Sequence, residues 1–401
     1  VLTDGPNVVH IPDRSGYDGD DGRQYVLKGD KLASVDEQLA YQPAGGSYSE
    51  SVHLSRETVA GHREWRIDRP PAGIVLGASD FQRIYRSVDK YYYAFASPSG
   101  TADGVDDHSG TPGTLVADPI YVRQRVDPVT QTVRALLAGP TRWLAPVVRT
   151  SFPAGTGLKP SVESVAPDDQ NRLEVPLNGK ADRVGRAKCE RMAAQIIFTL
   201  RDLTLTGISE VTLLRSDDSP LCELDHNEAV ALSTSESSGN YQYFVDSEHR
   251  LERLSSAGSD DEPEPVPGPL GSGAKAVGKV AVSRDEERAA GVTTDGRQLY
   301  VTALSPHAEL GDPILTSQAR SAGDRLTAPS WDGQGNLWVA DRDPKKPRLL
   351  LLDRDGTGDP VEVQTPATLD PELIKAVRVA ADSVRIALLV AEDGRESLYV
   401  G

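Results

Sequence analysis

The chain has 401 residues, two to three times the usual domain length, so it divides into more than one folded unit. Hydrophobic residues make up 38% and charged residues 26%, with 36 Gly and 28 Pro but one Met, which excludes a fibrous or wholly disordered chain and predicts turn-rich cores. Acidic residues number 60 against 43 basic, a net charge of −17, and with no local basic patch to offset it nucleic acid is excluded as a partner.

The densest basic cluster, Lys345–Lys346 with Arg348, reads as a solvated turn. No stretch approaches the ~20 apolar residues of a membrane span. The chain opens at Val1 with neither an initiator Met nor a charged-then-apolar leader, so a trimmed start is expected.

Alternating apolar positions predict an antiparallel meander near the start. Ala33, Val35, Leu39 and Tyr41 form one run, Tyr48, Val52 and Leu54 a second, Trp65 and Ile67 a third. Gly45-Gly46 and Ala60-Gly61 supply permissive backbone between them. Ser79, with Gln82 three residues on, reads as a capping box opening a helix through Phe81, Ile84, Tyr85 and Val88. A strand is expected over Tyr91–Phe95, and the Ser-, Gly- and Asp-rich residues 97–114 read as a domain boundary.

Beyond it, Asp127-Pro128 predicts an N-cap and first-turn proline for a helix carrying Val129, Val133, Leu136 and Leu137, ended by Gly139-Pro140. Strands are expected at Ser161–Val165 and Leu173–Leu177. A helix follows over Arg183–Asp202, where Met192, Ile196 and Leu200 recur every fourth residue beside Ala193 and Ile197. Val211–Leu214 reads as a closing strand.

From Tyr241 the helical patterns stop, and after the acidic, proline-rich stretch Asp260–Gly271 the sequence resembles itself. Residues 280–301 carry V-A-V-S-R-D with D-G-R-Q-L-Y-V, and residues 377–400 carry V-R-V-A-A-D with D-G-R-E-S-L-Y-V. Pro329-Ser-Trp-Asp with Gly335-Asn-Leu-Trp-Val stands midway, a period of about 48 residues, the length of one four-stranded propeller blade. The fold class expected is therefore multidomain: an α+β N-terminal domain over 1–114, an α+β domain over 115–235, and an all-β, incomplete β-propeller of about three blades over 236–401.

Chemistry-bearing motifs are sparse. Cys189 and Cys222 lie in the middle domain roughly 33 residues apart; they form either a disulfide in an oxidising compartment, stabilising by roughly 3 to 4 kcal/mol, or a buried thiol pair in a cytosolic protein. Gly273-Ala-Lys-Ala-Val-Gly278-Lys279 approaches a phosphate loop, but Val280 replaces the hydroxyl residue and no strand precedes it. Asp353–Asp359 and Asp18–Gly22 space carboxylates like calcium loops without the closing Glu; Gly29 stands where the second would need it. The histidines, His108 and His226 among them, have no metal spacing. Tyr91, Tyr92 and Tyr93 read as core more than as a ligand platform. No catalytic, cofactor or metal residues are assigned, and no enzyme activity is expected.

Trp65-Arg-Ile-Asp-Arg with Pro71-x-Gly-Ile, Phe81-x-x-x-Tyr85 and Asp118-Pro-x-Tyr-Val resemble the LpqB family of actinobacterial lipoproteins. Val133–Pro140, Phe152–Thr156 and Ala193–Leu200 resemble its GerMN domain. The resemblance implies a non-enzymatic protein on the external face of the cell membrane, held by an N-terminal lipid on a cysteine absent from this chain. It implies association with the extracellular domain of the MtrB sensor histidine kinase and a part in two-component signalling in envelope homeostasis, division and development. That location favours the Cys189–Cys222 disulfide. The alternative partner is peptidoglycan or another cell-wall glycan.

Overall fold

The computed structural model describes residues 1–5, 7–10, 22–70, 72–94, 114–203, 207–233, 239–255, 262–353, 358–392 and 394–401. They form two compact units, Val1–Thr234 and Ser235–Gly401. The protein is multidomain and mostly β, with few helices.

The first unit opens with β1 (Asn7–His10), β2 (Gly22–Asp30), β3 (Ala33–Val35), β4 (Tyr41–Pro43), β5 (Ser47–Val59) and β6 (His62–Arg69). The sheet order is β1-β2-β5-β6, all antiparallel, while β3 and β4 make a separate hairpin. The expected run through Ala33 and Tyr41 is thus broken. Asp36 Oδ1 accepts from the N–H groups of Gln38 and Ala40, and Leu39 sits at φ 64°, so the chain turns there. Ala60 and Gly61, both at positive φ, make the two-residue turn between β5 and β6.

Helix α1 (Ala78–Ile84) starts two residues earlier than expected and ends sooner. Its N-cap, Gly77, makes no side-chain cap, so the capping box is not formed. Asp4 takes that role from a distance in sequence, accepting from the Ser79 N–H at 3.0 Å and from the Ser79 hydroxyl. Val88 lies in the following strand instead.

That strand, β7 (Tyr85–Ala94), pairs antiparallel with β8 (Leu115–Arg123) over nine positions. The boundary expected at residue 114 therefore falls inside a hairpin, and β7 belongs with the central sheet. Phe95 and residues 97–113 lie outside the described residues. Helix α2 (Pro128–Leu137) follows, its N-cap Asp127 accepting from the Thr130 N–H, and then β9 (Val148–Arg149), which pairs with the far end of β7.

A second small sheet holds β10 (Arg172–Pro176), β11 (Glu210–Leu214) and β12 (Pro220–Asp225), with α3 (Arg186–Leu200) crossing between the parallel strands β10 and β11. Helix α4 (His226–Ala231) closes the unit with a capping box on Asp225 and Glu228. Met192, Ala193, Ile196, Ile197 and Leu200 of α3 are fully buried. Two expectations fail. β11 is the central strand of its sheet, not a closing one. Ser161–Val165 is not a strand, because Val165 exchanges its backbone bonds with the Thr130 hydroxyl of α2.

The second unit contains four antiparallel sheets taken up in chain order. The first is β13 (Tyr241–Val245), β14 (Leu251–Ser255) and β15 (Glu264–Pro265). The second is β16 (Val277–Val282), β17 (Arg288–Thr293), β18 (Gln298–Ala303) and β19 (Leu315–Thr316). The third is β20 (Ser330–Trp331), β21 (Leu337–Asp341), β22 (Arg348–Leu352) and β23 (Val361–Val363), and the fourth is β24 (Ile374–Val379), β25 (Ile386–Glu392) and β26 (Arg395–Val400). β17, β21 and β25 begin at Arg288, Leu337 and Ile386, an even step of about 49 residues. No sheet closes on itself among the described residues.

The sheets pack face to face. Leu337 and Val339 of β21 enter a core with Val292, Leu299 and Leu350, while Trp338 and Ala340, at the alternate positions, face the next core with Leu349, Ile374 and Leu388. A strand buried on both faces needs apolar residues at successive positions, which is why Arg348–Leu352 reads R-L-L-L-L. The hairpin turns are held by aspartates. Asp332 accepts from Gln334 N, Asn336 N and Trp338 Nε1, Asp382 from Val384 N and Arg385 Nε, and Asp246 from Glu248 N and Arg250 N.

Gly333 lies so close to the next repeat that an added Cβ would stand 1.8 Å from the Ala381 carbonyl oxygen. Gly333→Ala is therefore expected to destabilise the second unit by about 1–3 kcal/mol, read as a lower Tm in calorimetry, while Gly311→Ala, which meets nothing within 4 Å, leaves it unchanged. Hydrogen bonds to the Asp246 and Asp295 carboxylates, from Arg250 N–H and from the Thr293 hydroxyl first, hold both below the usual range. A depressed folded-state pKa gives stability that is present above the unfolded value of about 4 and is lost as pH falls through the folded one. Acid titration followed by circular dichroism should show the β signal weakening only below that pH.

Candidate functional site

The central sheet is built around a buried charge pair. Lys90 Nζ lies 3.2 Å from Asp118 Oδ2, and both side chains are 1% exposed. Both groups have further partners: Lys90 donates to the Gly139 carbonyl at 2.9 Å, and Asp118 accepts from Thr141 N–H at 2.8 Å and Thr141 Oγ at 2.7 Å. The pair thereby ties β7 and β8 to the loop that ends α2. Burial pulls the Lys90 ammonium below its ordinary pKa, against the opposing pull of Asp118. Burial, then Asp118, pushes the Tyr92 phenol far up. Nothing here opens to solvent, so the pair is structural.

Tyr91, Tyr92 and Tyr93 are all buried, because β7 is the middle strand of its sheet. Tyr92 Oη donates to the Leu136 carbonyl, and Tyr91 Oη accepts from Arg201. They form core, not a platform. A different aromatic group lies nearby: Tyr41, Phe81, Tyr85 and Tyr121 stand 5.1–6.1 Å apart by ring centroids. They wall a cavity of about 250 Å³ with Leu32 and Gln82. The sequence reading missed it, since the four residues come from four elements.

Cys189 of α3 and Cys222 of β12 are joined by a disulfide. Gly273–Lys279 leads into β16 with no helix after it, and Lys279 Nζ donates to the Leu326 carbonyl, so no phosphate cradle forms. Lys345 and Lys346 are exposed in a turn held by Asp343, and Arg348 pairs with Asp341 at 2.9 Å. His226 begins α4; its N–H donates to the Ser209 carbonyl. Residues 354–357 of the Asp353–Asp359 loop, all of Asp18–Asp21, and His108 lie outside the described residues. Among the described residues no group of three or more His, Cys, Asp or Glu is placed to hold a metal, and no helix is long and apolar enough to cross a membrane.

A cleft of about 490 Å³ in the second unit lies where the innermost strands meet. Ala281 and Val282 of β16, Trp331 of β20, Val379 of β24 and Tyr243 of β13 line it, with Arg284 and Arg378 at its rim. Trp331 is fixed from two sides: its Nε1 donates to the Ala281 carbonyl at 3.1 Å, and the Arg288 guanidinium sits 4.9 Å over its ring. Burial, with Glu286 beside it, pushes the Tyr243 phenol up to about 12. Among the described residues that line it there is no nucleophile–base pair.

Residues 1–82 match the family described as the N-terminal domain of lipoprotein LpqB, 91–222 the one described as sporulation and spore germination, and 252–401 the LpqB β-propeller domain. Lipoprotein LpqB of Streptomyces avermitilis is 56% identical over 403 residues, covering 100% of this chain. The chain belongs to the LpqB family. Lipoprotein LpqB of Streptomyces coelicolor is 51% identical, and that of Mycobacterium tuberculosis 26% over 91% of this chain. The chain spans 64% of the length of the two Streptomyces LpqB proteins and 60% of the mycobacterial one.

Removing one partner of the buried pair leaves an uncompensated charge. Lys90→Met should cost about 3–5 kcal/mol in urea unfolding, and the double change Lys90→Met with Asp118→Leu should recover most of it.

Proposed function

We propose that this LpqB-family chain is a non-enzymatic, extracytoplasmic part of a lipid-anchored protein on the external face of the cell membrane. It docks on the extracellular domain of the MtrB sensor histidine kinase and modulates two-component signalling in envelope homeostasis, division and development. What carries the reading is the match to relatives named as lipoproteins along the whole chain. The disulfide supports it, since such a bond persists in oxidising compartments. A charge of −17 suits a surface that meets a complementary partner patch and leaves again when salt rises.

The cavity walled by Tyr41, Phe81, Tyr85 and Tyr121 favours a second reading, capture of a cell-wall glycan, because sugar rings stack on aromatic faces. Titration calorimetry of the chain against the kinase's external domain decides between them. Heat at low salt that fades as salt rises is the expected result. Absence of heat, together with retention of the chain on purified sacculi, would replace the kinase by glycan.

The compartment is testable on the chain itself. Reduction of Cys189–Cys222, or replacement of both by Ala, should lower the stability of the first unit by about 3–4 kcal/mol, and thiol labelling of the protein recovered from its native host should find neither cysteine free.

A further inference from the structure

Asn178 is the one asparagine of this chain followed by glycine; the other five precede Val8, Arg172, Glu228, Tyr241 and Leu337. The difference matters because glycine has no Cβ to keep its backbone nitrogen away from the asparagine Cγ. Asn178 lies just past β10, on the loop that leads to α3, and it is partly exposed while Gly179 is exposed. An added Cβ at Gly179 would stand 3.4 Å from Asp182 Oδ2, an ordinary contact, so packing alone does not demand the glycine.

The local hydrogen bonds favour the approach of the two groups. Asn178 Oδ1 accepts from the Lys180 N–H at 3.2 Å, closing an Asx turn that folds the side-chain amide back over the backbone of Gly179. The turn brings Cγ toward the Gly179 nitrogen, whose N–H has no partner among the described residues. When that nitrogen attacks Cγ, charge gathers on Oδ1, where the Lys180 N–H already points. The main chain is held on both sides: the Asn178 N–H donates to the Gly157 carbonyl at 2.9 Å, and the Ala181 N–H to the Asn178 carbonyl at 3.2 Å. Attack is thus intramolecular and between fixed groups, the condition that speeds ring closure. Nδ2, the group that would leave, donates to the Gly155 carbonyl at 3.0 Å and so ties the 153–157 loop to this one.

We infer that Asn178 is a site of spontaneous deamidation, and that its conversion releases the loop around Gly155. The Gly179 nitrogen bonds to Cγ and gives up its proton; the Cγ–Nδ2 bond breaks, and Nδ2 leaves with that proton as ammonia. Water then opens the succinimide at one of its two carbonyls, leaving an aspartyl or an isoaspartyl residue at position 178. A carboxylate cannot donate to the Gly155 carbonyl, so two acceptors face each other where a bond stood. The 153–157 loop loosens, while β10, β11 and β12 keep the ladder that joins them. The change accumulates with time and adds negative charge to an acidic chain, so it marks the older molecules.

The test holds the folded 401-residue chain in mildly alkaline buffer and follows it by peptide mapping. Expected are a gain of one mass unit with isoaspartate at position 178, no gain at the other five asparagines, and a rate at least tenfold lower in Gly179→Ala. The Thr156 amide, bonded to the Pro153 carbonyl, should exchange with solvent at least tenfold faster in Asn178→Asp, with β10 and β11 unchanged. Circular dichroism confirms that both variants fold, and comparison of the folded chain with the same chain in urea needs no variant at all. Absence of the mass gain in the folded chain, or a gain found only in urea, overturns the proposal. So does an unchanged rate in Gly179→Ala. Unaltered exchange at Thr156 in Asn178→Asp overturns the release of the loop.

Discussion

A strand edge is a row of backbone donors and acceptors that must be met by something, and how each edge is met governs what this protein exposes. In the central sheet β7 is bordered by β8 along its length but by β9 only at its end. The gap is filled by a helix. Thr199 Oγ accepts from the Tyr91 N–H at 3.0 Å, and Gln195 Nε2 donates to the Tyr91 carbonyl at 2.7 Å, while Gln195 Oε1 takes the Ser151 N–H. Two polar residues one turn apart on α3 stand in for a strand. The bonds they make offset the cost of burying them. In the second unit, among the described residues, the inner edge of β13 is met by the Glu286 carboxylate at Tyr241.

The same economy of polar groups separates structure from function elsewhere. Lys90 and Asp118 are a buried pair of opposite charges in the central sheet, bonded further to Gly139 and Thr141. Closed off from solvent, such a pair meets no ligand. Arg284 and Arg378, at the rim of the cleft, donate to the Ala381 and Val377 carbonyls, and neither meets a carboxylate among the described residues.

Much of this was legible in the residues. The helix through Val133 and Leu136 and that through Met192 and Ile196 showed in their spacing, because each buries one stripe. The repeat in the second unit showed because its Asp-bracketed turns and two-sided strands recur at fixed distance, as at Asp295-Gly296-Arg297. The failures have local causes. The Asp36 side chain bends the chain inside an apparently continuous strand, and Asp4 caps a helix from across the fold, where no local pattern can signal it. The expected boundary at 114 followed composition, but pairing between β7 and β8 spans it. The cleft was invisible for a related reason: Tyr243, Trp331 and Arg378 meet only when the repeats curve around one centre.

Hydrogen exchange at single-amide resolution on the 401-residue chain tests the account most directly. The Tyr91 and Ser151 amides, met by Thr199 and Gln195, should exchange slowly, and Thr199→Val should speed exchange at Tyr91 by at least tenfold. Fast exchange at Tyr91 in the unaltered chain, or protection that the substitution leaves in place, would contradict it.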